Sequence, residues 1–244
     1  MTAAPIHVAG ERLMLDPGGV LHWPARQTLV VADLHLEKGS SFAATGRFLP
    51  PYDTRETLTR LALLLRRWRP ARIIALGDSF HDREGCSRLP PADAEALRRM
   101  LAGLEMVWVL GNHDPEPPVG LPGIAADEYR DGRLVFRHQA VPSASRFAAS
   151  AVVEVSGHFH PKATMATRCG GITRPCFVAD SRRVILPAFG AYAGGLDARD
   201  PSIAGLFPRG ARAFLLGRER LFSMQTGPWM GPAETAELTG TAPG

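Results

Sequence analysis

The segment RIIALGDSFHD, residues 72–82, runs from an apolar stretch directly into a group of polar and charged residues. The same design occurs before it in TLVVADLH, residues 28–35, and after it in MVWVLGNHD, residues 106–114. Short apolar runs rich in β-branched residues and bounded by turn-forming residues are typical of buried strands. The three segments therefore predict three buried strands, each with polar side chains at its carboxyl end.

Two helical patterns separate these strands. Leucines recur at helical spacing in residues 53–67, with Asp53 or Thr54 as the expected N-cap, and a second helix is expected over residues 91–104. Alternating strands and helices predict a parallel sheet with right-handed crossovers. In such α/β sheets the chemistry gathers at the carboxyl ends of the strands.

The last part of the chain has a different pattern, in which short β-like segments follow one another between turns. These segments are residues 133–138, 150–158, 163–167, 175–179, 183–187, 212–216 and 220–224. They predict a second sheet, mostly antiparallel or mixed. We expect residues 1–224 to form a single domain and residues 225–244, rich in Gly, Pro, Thr and Ala, to form a flexible tail.

Length and composition exclude several classes of protein. With 244 residues and 45% hydrophobic residues, the chain can bury a large core. It contains no run of about 18 apolar residues and no signal-peptide pattern at its start, which predicts a cytoplasmic protein. Its three cysteines, Cys86, Cys169 and Cys176, lack CxxC spacing, so neither a disulfide framework nor a structural zinc site is indicated.

The basic residues are unusual in kind rather than in number. The formal net charge is +4, and all basic residues are arginine except Lys38 and Lys162. Compositional bias of the source genome explains this more readily than an arginine surface selected for phosphate. A polyanionic substrate is compatible with the charge but is not identified by it. Lys38 is expected at a solvated loop position.

Metal-ligand types are concentrated at the ends of the predicted strands. They are Asp33 and His35; Asp78, His81 and Asp82; Asn112, His113 and Asp114; His138; and His158 and His160 in the sequence GHFH. Taken singly, each has an ordinary reading, since Asp and Asn are common in turns. Converging at one edge, they would form a mixed carboxylate, imidazole and amide set that suits manganese, iron or zinc.

A pair of such ions is well matched to phosphate ester hydrolysis. Two ions about 3.5–4 Å apart can lower the pKa of a shared water, orient a phosphate for in-line attack and stabilise the leaving oxygen. The protein must supply the ligands and a proton donor.

The ordered blocks DLH, GDSFHD, GNHD, a single His and GHFH resemble the signature of the calcineurin-like metallophosphoesterases. Beyond these blocks, DLHLEKGSSFAATGRFLPPYD (33–53) and RPCFVADSRRVILPAFGAYAGGLD (174–197) look most like the bacterial DNA ligase-associated members. The resemblance implies a four-layer αββα sandwich: two stacked mixed sheets flanked by helices. It also implies partnership with a DNA ligase and a helicase in DNA repair.

The resemblance also implies roles for individual residues. Asp33, His35 and His160 would bind one metal ion, Asn112, His138 and His158 a second, and Asp78 would bridge the two; manganese is the expected metal, with iron or zinc as alternatives. His113 would contact the substrate phosphate and protonate the leaving oxygen. Asp82 or Asp114 would orient His113.

One departure from the common pattern bears on the substrate. Many members have Asp three positions after the bridging Asp, whereas this chain has His81 there. The GD-x-x-H form is similar to the nuclease branch that includes the Mre11 and SbcD repair enzymes, which predicts a DNA endonuclease with His81 assisting His113. Two alternatives remain open: a phosphomonoesterase or small-nucleotide phosphodiesterase on the same fold, and a non-catalytic interaction module.

Overall fold

A computed structural model describes residues 1–142, 152–168 and 170–227, and within them the strands form two sheets. The first sheet contains β1 (Ala4–Val8), β2 (Glu11–Leu15), β3 (Leu21–Trp23), β4 (Thr28–Val31), β5 (Arg72–Leu76), β6 (Glu105–Val109) and β7 (Ile124–Ala126). The second contains β8 (Glu128–Asp131), β9 (Leu134–Arg137), β10 (Val153–Ser156), β11 (Lys162–Thr167), β12 (Gly170–Ala179), β13 (Arg183–Ile185), β14 (Arg212–Leu216) and β15 (Leu221–Gln225). The helices are α1 (Lys38–Ala44), α2 (Asp53–Trp68), α3 (Gly85–Arg88), α4 (Pro91–Leu101) and α5 (Pro201–Ala204).

The strands of the first sheet lie side by side in chain order, from β1 to β7. Strands β4 to β7 are parallel, which confirms the parallel sheet expected from the alternation of strands and helices. Strands β1 to β4 are joined in antiparallel fashion, an extension that the sequence did not predict. The sheet is therefore mixed.

The second sheet has the order β15-β14-β12-β13-β10-β9-β8, with β11 paired to β12 beside it. Strand β10 is parallel to both β9 and β13, and the other pairings are antiparallel. This agrees with the prediction of a mixed second sheet.

Three groups of buried side chains define the layers. The first, between the sheets, includes Trp23 from the first sheet and Phe136 and Phe177 from the second. The second packs α2 and α4 against the outer face of the first sheet, and the third places Ile203 of α5 against the outer face of the second. The predicted αββα arrangement is thus confirmed.

The start of α2 differs from the prediction. The helix begins at Asp53, but its N-cap is Tyr52 and neither Asp53 nor Thr54 caps it. Instead, the Asp53 carboxylate accepts a hydrogen bond from the Gly39 amide at 3.0 Å, and Thr54 Oγ1 donates to Glu37 Oε1 at 2.8 Å. These side chains tie α2 to the beginning of α1, because tertiary partners compete with the helix's own amides for their oxygens.

Other sequence expectations have simpler outcomes. Cys86 and Cys176 are free thiols, while Cys169 lies outside the described residues. Residues 228–244 of the predicted tail lie outside the described residues. Strand β15 ends at Gln225, which is the first residue of that tail. No helix in the described part of the chain combines the length and the apolar character that crossing a bilayer requires.

Candidate dinuclear metal centre

All nine residues predicted for the site follow the carboxyl ends of strands. Asp33 and His35 follow β4, Asp78 and His81 follow β5, Asn112 and His113 follow β6, His138 follows β9, and His158 and His160 follow β10. The first three strands are neighbours in one sheet and the last two are neighbours in the other. The ends of both sheets therefore supply one site.

The first cluster of donor atoms comprises Asp33, His35 and His160, whose nearest donor atoms all lie within 4.8 Å of one another. The Nε2 atoms of His35 and His160 are 3.1 Å apart, and His160 Nε2 is 3.5 Å from Asp33 Oδ1. Asp33 and His35 are buried, so the cluster is shielded from bulk water. Two imidazoles and a carboxylate facing one another at such distances could hold a divalent transition metal.

The second cluster comprises Asp78, His138 and His158, and Asn112 adds an amide oxygen. His138 Nε2 lies at its centre, 3.0 Å from His158 Nδ1, 2.8 Å from Asn112 Oδ1 and 3.4 Å from Asp78 Oδ1. Asp78 and His138 are buried, whereas Asn112 is exposed. The cluster therefore opens to solvent on the Asn112 side.

Asp78 faces both clusters. Its Oδ1 is 3.4 Å from His138 Nε2, and its Oδ2 is 4.0 Å from His35 Nε2. Oδ1 also accepts a hydrogen bond from the His113 amide at 3.0 Å, which fixes the orientation of the carboxylate. This is the placement that a bridging ligand requires.

Hydrogen bonds to backbone groups around the clusters set the protonation and the position of donor atoms in a way that fits metal binding. His138 Nδ1 lies 3.0 Å from the Leu76 carbonyl oxygen, which only accepts, so this nitrogen carries the proton and Nε2 presents its lone pair to the cluster. The Asp33 carboxylate accepts the His158 amide at 3.0 Å and 3.1 Å. The residues present therefore fit a pair of cations in donor chemistry, and His138 also does so in the orientation of its lone pair.

The backbone around the site adopts an uncommon conformation. Positive φ angles occur at Asp33, His35, Asp78, His158 and His160, with values from 44° to 70°. This left-handed region is sparsely populated by residues other than glycine, and it recurs at functional sites. Five of the seven predicted ligands thus lie on backbone that is strained to aim their side chains.

Glycines beside the ligands allow the strand ends to approach closely. A Cβ atom added at Gly111 would lie 2.3 Å from Asp78 Oδ1, and one added at Gly157 would lie 2.6 Å from Asp33 Oδ2. Real Cβ atoms essentially never approach another atom that closely. The glycines in GNHD and GHFH therefore make room for the carboxylate of a neighbouring block.

His113 lies beside the clusters with two-fifths of its side chain exposed. Its Nδ1 is 2.7 Å from the His81 carbonyl oxygen and must be the donor, while its Nε2 is 3.9 Å from Asp78 Oδ2. The expectation that Asp82 or Asp114 orients this ring is wrong, because a backbone carbonyl does so.

The two carboxylates are engaged elsewhere. Asp82 accepts from Arg88 Nη2 at 2.7 Å, and Asp114 accepts from the Phe80 amide at 3.0 Å. Both bonds belong to the local packing of the loop that follows β5. These side chains therefore shape the loop that presents the His81 carbonyl to His113.

His81 completes a third group of facing side chains. Its Nδ1 is 3.4 Å from His35 Nδ1, and its ring centroid is 5.2 Å from that of His113. The three residues His35, His81 and His113 also have donor atoms within 4.8 Å of one another. His81 is thus placed next to both the first cluster and His113.

Burial and crowding of imidazoles favour neutral rings in the metal-free chain. Burial lowers the pKa of His35 to about 2, with further lowering by His160 and His113. Burial likewise lowers the pKa of His81 to about 4 and lowers the pKa of His158. Neutral imidazoles offer lone pairs, so this environment favours cation binding.

Burial also raises the pKa of Asp114 to about 6, and the neighbouring Asp78 carboxylate adds to that rise. Asp78 and Asp114 therefore place the negative charge of two carboxylates close together beside Gly111. Bound cations would offset that charge.

Two stacked mixed sheets with adjoining clusters of carboxylates and imidazoles at their strand ends define a metal-dependent phosphoesterase. The calcineurin-like phosphoesterase family matches residues 27–176, which is more than half of the chain. The chain belongs to this family, and the two clusters are the groups that could hold its metal ions.

A solved structure agrees with this assignment. The crystal structure of the Pseudomonas putida nuclease MPE matches with a TM-score of 0.69 and 28% identity, over 91% of this chain and 100% of that one. Yfce, a phosphoesterase from E. coli, matches with a TM-score of 0.43 and 14% identity, over 82% of this chain and 99% of that one, and this likeness is too distant to support an inference. No curated protein matches the chain.

Proposed function

We propose that this chain is a dinuclear metal-dependent phosphodiesterase that cleaves DNA as an endonuclease. The observation that carries the proposal is the convergence of the two donor clusters on Asp78, with His113 and His81 directly beside them. The similarity to the Pseudomonas putida nuclease over nearly the whole length of both chains supports the choice of a nucleic acid as substrate.

In this proposal, Asp33, His35 and His160 hold one ion, Asn112, His138 and His158 hold the second, and Asp78 bridges them. When bound, the two ions would supply a nucleophilic water at neutral pH and neutralise the charge of the phosphate. Manganese is the proposed metal, because imidazole, carboxylate and amide ligands suit it, although iron and zinc accept the same donors.

His113 is proposed to protonate the leaving oxygen. The His81 carbonyl holds the ring by Nδ1, so only Nε2 is directed toward the clusters. Once the ring is protonated, its Nε2–H can donate to an alkoxide leaving from the phosphate. The exposure of the side chain leaves room for that substrate oxygen.

His81 supports the preference for diesters. Its ring lies 5.6 Å from that of Phe42 and 5.2 Å from that of His113, and its side chain is partly exposed. A neutral imidazole there can hydrogen-bond to the ester group without repelling the cations. A carboxylate in its place would add negative charge facing the incoming phosphate.

The biological setting is proposed on the resemblance alone. It comprises a role in DNA repair in the cytoplasm, with an associated DNA ligase and a helicase as partners. We also propose that residues 1–224 form a single domain, which the shared core between the two sheets supports.

A substrate panel tests the function. The purified protein, supplied with manganese, should hydrolyse bis(p-nitrophenyl) phosphate and cleave DNA, and His113→Ala should lose both activities while it keeps its metal. Single-stranded DNA, duplex DNA, RNA, cyclic nucleotides and p-nitrophenyl phosphate complete the panel, each run with manganese, iron and zinc. Rapid cleavage of the monoester without cleavage of any diester would refute the nuclease proposal in favour of a phosphomonoesterase.

A metal analysis tests the remaining alternative. Every predicted ligand position carries a residue that can bind a metal, which argues against a non-catalytic interaction module. Elemental analysis should find two ions per chain after reconstitution. A chain that bound well under one ion would be such a module.

A further inference from the structure

Residues 187–195, PAFGAYAGG, form a loop after β13 that we call the rim loop because it borders the candidate metal centre. Its Gly190 amide donates to the Asp33 carbonyl oxygen at 3.0 Å, and the Phe189 amide donates to the Ala32 carbonyl oxygen at 2.9 Å. The rim loop is therefore fixed to the same segment that supplies the first cluster of ligands.

Three cationic side chains from three different elements reach carbonyl oxygens of the rim loop. Lys38 Nζ of α1 is 3.0 Å from the oxygen of Tyr192, Arg60 Nη1 of α2 is 3.1 Å from that of Phe189, and Lys162 Nζ of β11 is 3.5 Å from that of Ala193. The sequence suggested a solvated loop position for Lys38, but this residue lies in α1 and its ammonium group contacts the rim loop. The only two lysines of the chain converge on this loop.

Two of these cations, Arg60 and Lys162, line a cavity of about 330 Å³. His160, a predicted ligand of the first cluster, and Gly190 and Gly194 of the rim loop line the same cavity. Its volume lies within the range of about 300–1,000 Å³ that is usual for small-ligand sites. The cavity therefore borders the candidate metal centre through His160.

The charge of the two cations is not neutralised by the groups that hold them. A carbonyl oxygen is a neutral acceptor, and Arg60 carries five N–H donors and Lys162 three, so one bond to the rim loop leaves donors for an incoming oxygen. Burial lowers the pKa of the Arg60 guanidinium despite the opposing effect of Glu56. The guanidinium of Arg60 lies over the Phe189 ring, with Cζ 4.6 Å from the ring centroid.

We propose that this cavity is a subsite for a second phosphate of the substrate, the one adjacent to the scissile phosphate along a polynucleotide strand. The assignment rests on the proposed nuclease function and specifies how a polynucleotide is preferred to a small diester. Arg60 and Lys162 bind the second phosphate, while the metal centre holds the scissile one. A substrate with a single phosphate leaves the subsite empty.

Variants that remove charge and keep the stem test the proposal. Arg60→Met and Lys162→Met preserve the methylene chains, and Arg60→Lys restores a positive charge at the first position. The matched control is Arg99→Ala, because Arg99 lies in the last turn of α4, at the end of that helix remote from the carboxyl edge of the sheet, and pairs with Glu95 at 3.1 Å. The substrates are a fluorescent single-stranded oligodeoxynucleotide and bis(p-nitrophenyl) phosphate, with manganese, over a series of salt concentrations.

The readout is the ratio of kcat/KM for the oligonucleotide to kcat/KM for the small diester. Each Met variant should lower this ratio by about tenfold to a hundredfold, mainly through KM, because a charge-assisted hydrogen bond is lost. The slope of log kcat/KM against log salt for the oligonucleotide should become shallower by about 0.7 for each lost phosphate contact. Arg60→Lys should restore most of the ratio, and Arg99→Ala should leave it unchanged.

The possible failures are distinguishable. If the wild-type protein cleaves the oligonucleotide and both Met variants keep its ratio and salt slope, the subsite is refuted and the nuclease function stands. If the wild-type protein hydrolyses the small diester but neither binds nor cleaves any oligonucleotide, both proposals are refuted. Equal losses on the two substrates would show that Arg60 and Lys162 only support the metal centre, which also overturns the subsite.

Discussion

Gly111 offers the sharpest test of how the strand ends fit together. A Cβ atom at this position would lie 2.3 Å from Asp78 Oδ1 and 2.2 Å from the Asp78 amide nitrogen. Real Cβ atoms essentially never come within 3.0 Å of another atom in this way. Gly111→Ala therefore forces either the Asp78 carboxylate or the loop carrying Asn112 to move. Relief of the contact requires a shift of about 1 Å in a group that faces both clusters.

The expected loss of activity follows from that shift. Misplacement of a positioned group by about 1 Å can cost about 10²-fold in rate, equivalent to about 2.7 kcal/mol of transition-state stabilisation. The Gly111→Ala protein should also bind its metal ions more weakly, because Asp78 presents one oxygen to each cluster. Its fold should persist, since the clash involves a loop outside the hydrophobic core.

The assay is hydrolysis of bis(p-nitrophenyl) phosphate with manganese, together with elemental analysis and circular dichroism. The control is Gly171→Ala, whose added Cβ would meet only the Thr164 Cγ2 atom of an exposed side chain, at 3.0 Å. That methyl group can rotate away, so this variant should retain activity. A folded Gly111→Ala protein with wild-type turnover and metal content would refute the close-packing argument.

Four further predictions concern single residues. His113→Ala should lower kcat by about 10²- to 10⁴-fold, the usual contribution of general acid–base catalysis, with metal content unchanged by elemental analysis; a parallel loss of metal would contradict a purely catalytic role. Asp78→Ala should reduce the bound metal at both clusters, and retention of two ions would exclude it as the bridge. In the chelator-treated chain, the midpoint of unfolding by urea should fall as the pH drops below about 6.5. The reason is that His35 takes up a proton in the unfolded chain, whereas the folded ring, with its lowered pKa, stays neutral. A midpoint that does not change between about pH 7.5 and 5.5 would contradict this. Glu154→Ala should lower the free energy of unfolding, measured by urea titration, by about 3 to 5 kcal/mol, because it removes the buried carboxylate that lies 3.0 Å from Arg137 Nη1. A loss under about 1 kcal/mol would show that this ion pair contributes little to stability.

The elements that carry the ligands were predictable because their signal is local. An apolar run that ends in Asp78 or Asn112 identifies both a strand and the residue at its end, and alternation with helices fixes a parallel order. The structure confirms that order for β4, β5 and β6. The residues that the structure brings together at the strand ends could therefore be identified from patterns that span about ten residues each.

Contacts made by the backbone could not be predicted in this way. His113 is oriented by the His81 carbonyl, and His138 by the Leu76 carbonyl, and every residue carries such a group. Only the folded chain determines which carbonyl is presented, so the sequence led to Asp82 and Asp114 instead. Arg60 was missed for a related reason, since an arginine inside a helix gives no sign that it reaches a loop more than a hundred residues away.

The hairpins before β4 show a different limit. Strands β1 to β3 are three to five residues long, and β1 and β2 are only partly buried. Such short segments carry few alternating positions, so the period of two is difficult to recognise. Their pairing to β4 is determined by tertiary packing.

The left-handed backbone at five of the predicted ligands implies a trade-off between the stability of the fold and its catalytic turnover. Each such residue costs of the order of 1 kcal/mol or more in conformational strain, which glycine would relieve at no steric cost. Substituting glycine for His35 or His160 should thus relieve this strain in the apoprotein, while it removes a predicted ligand of the first cluster. Laboratory evolution that selects only for heat resistance would replace these residues before it changed the hydrophobic layers. A screen for thermostable variants must therefore also select for catalytic turnover.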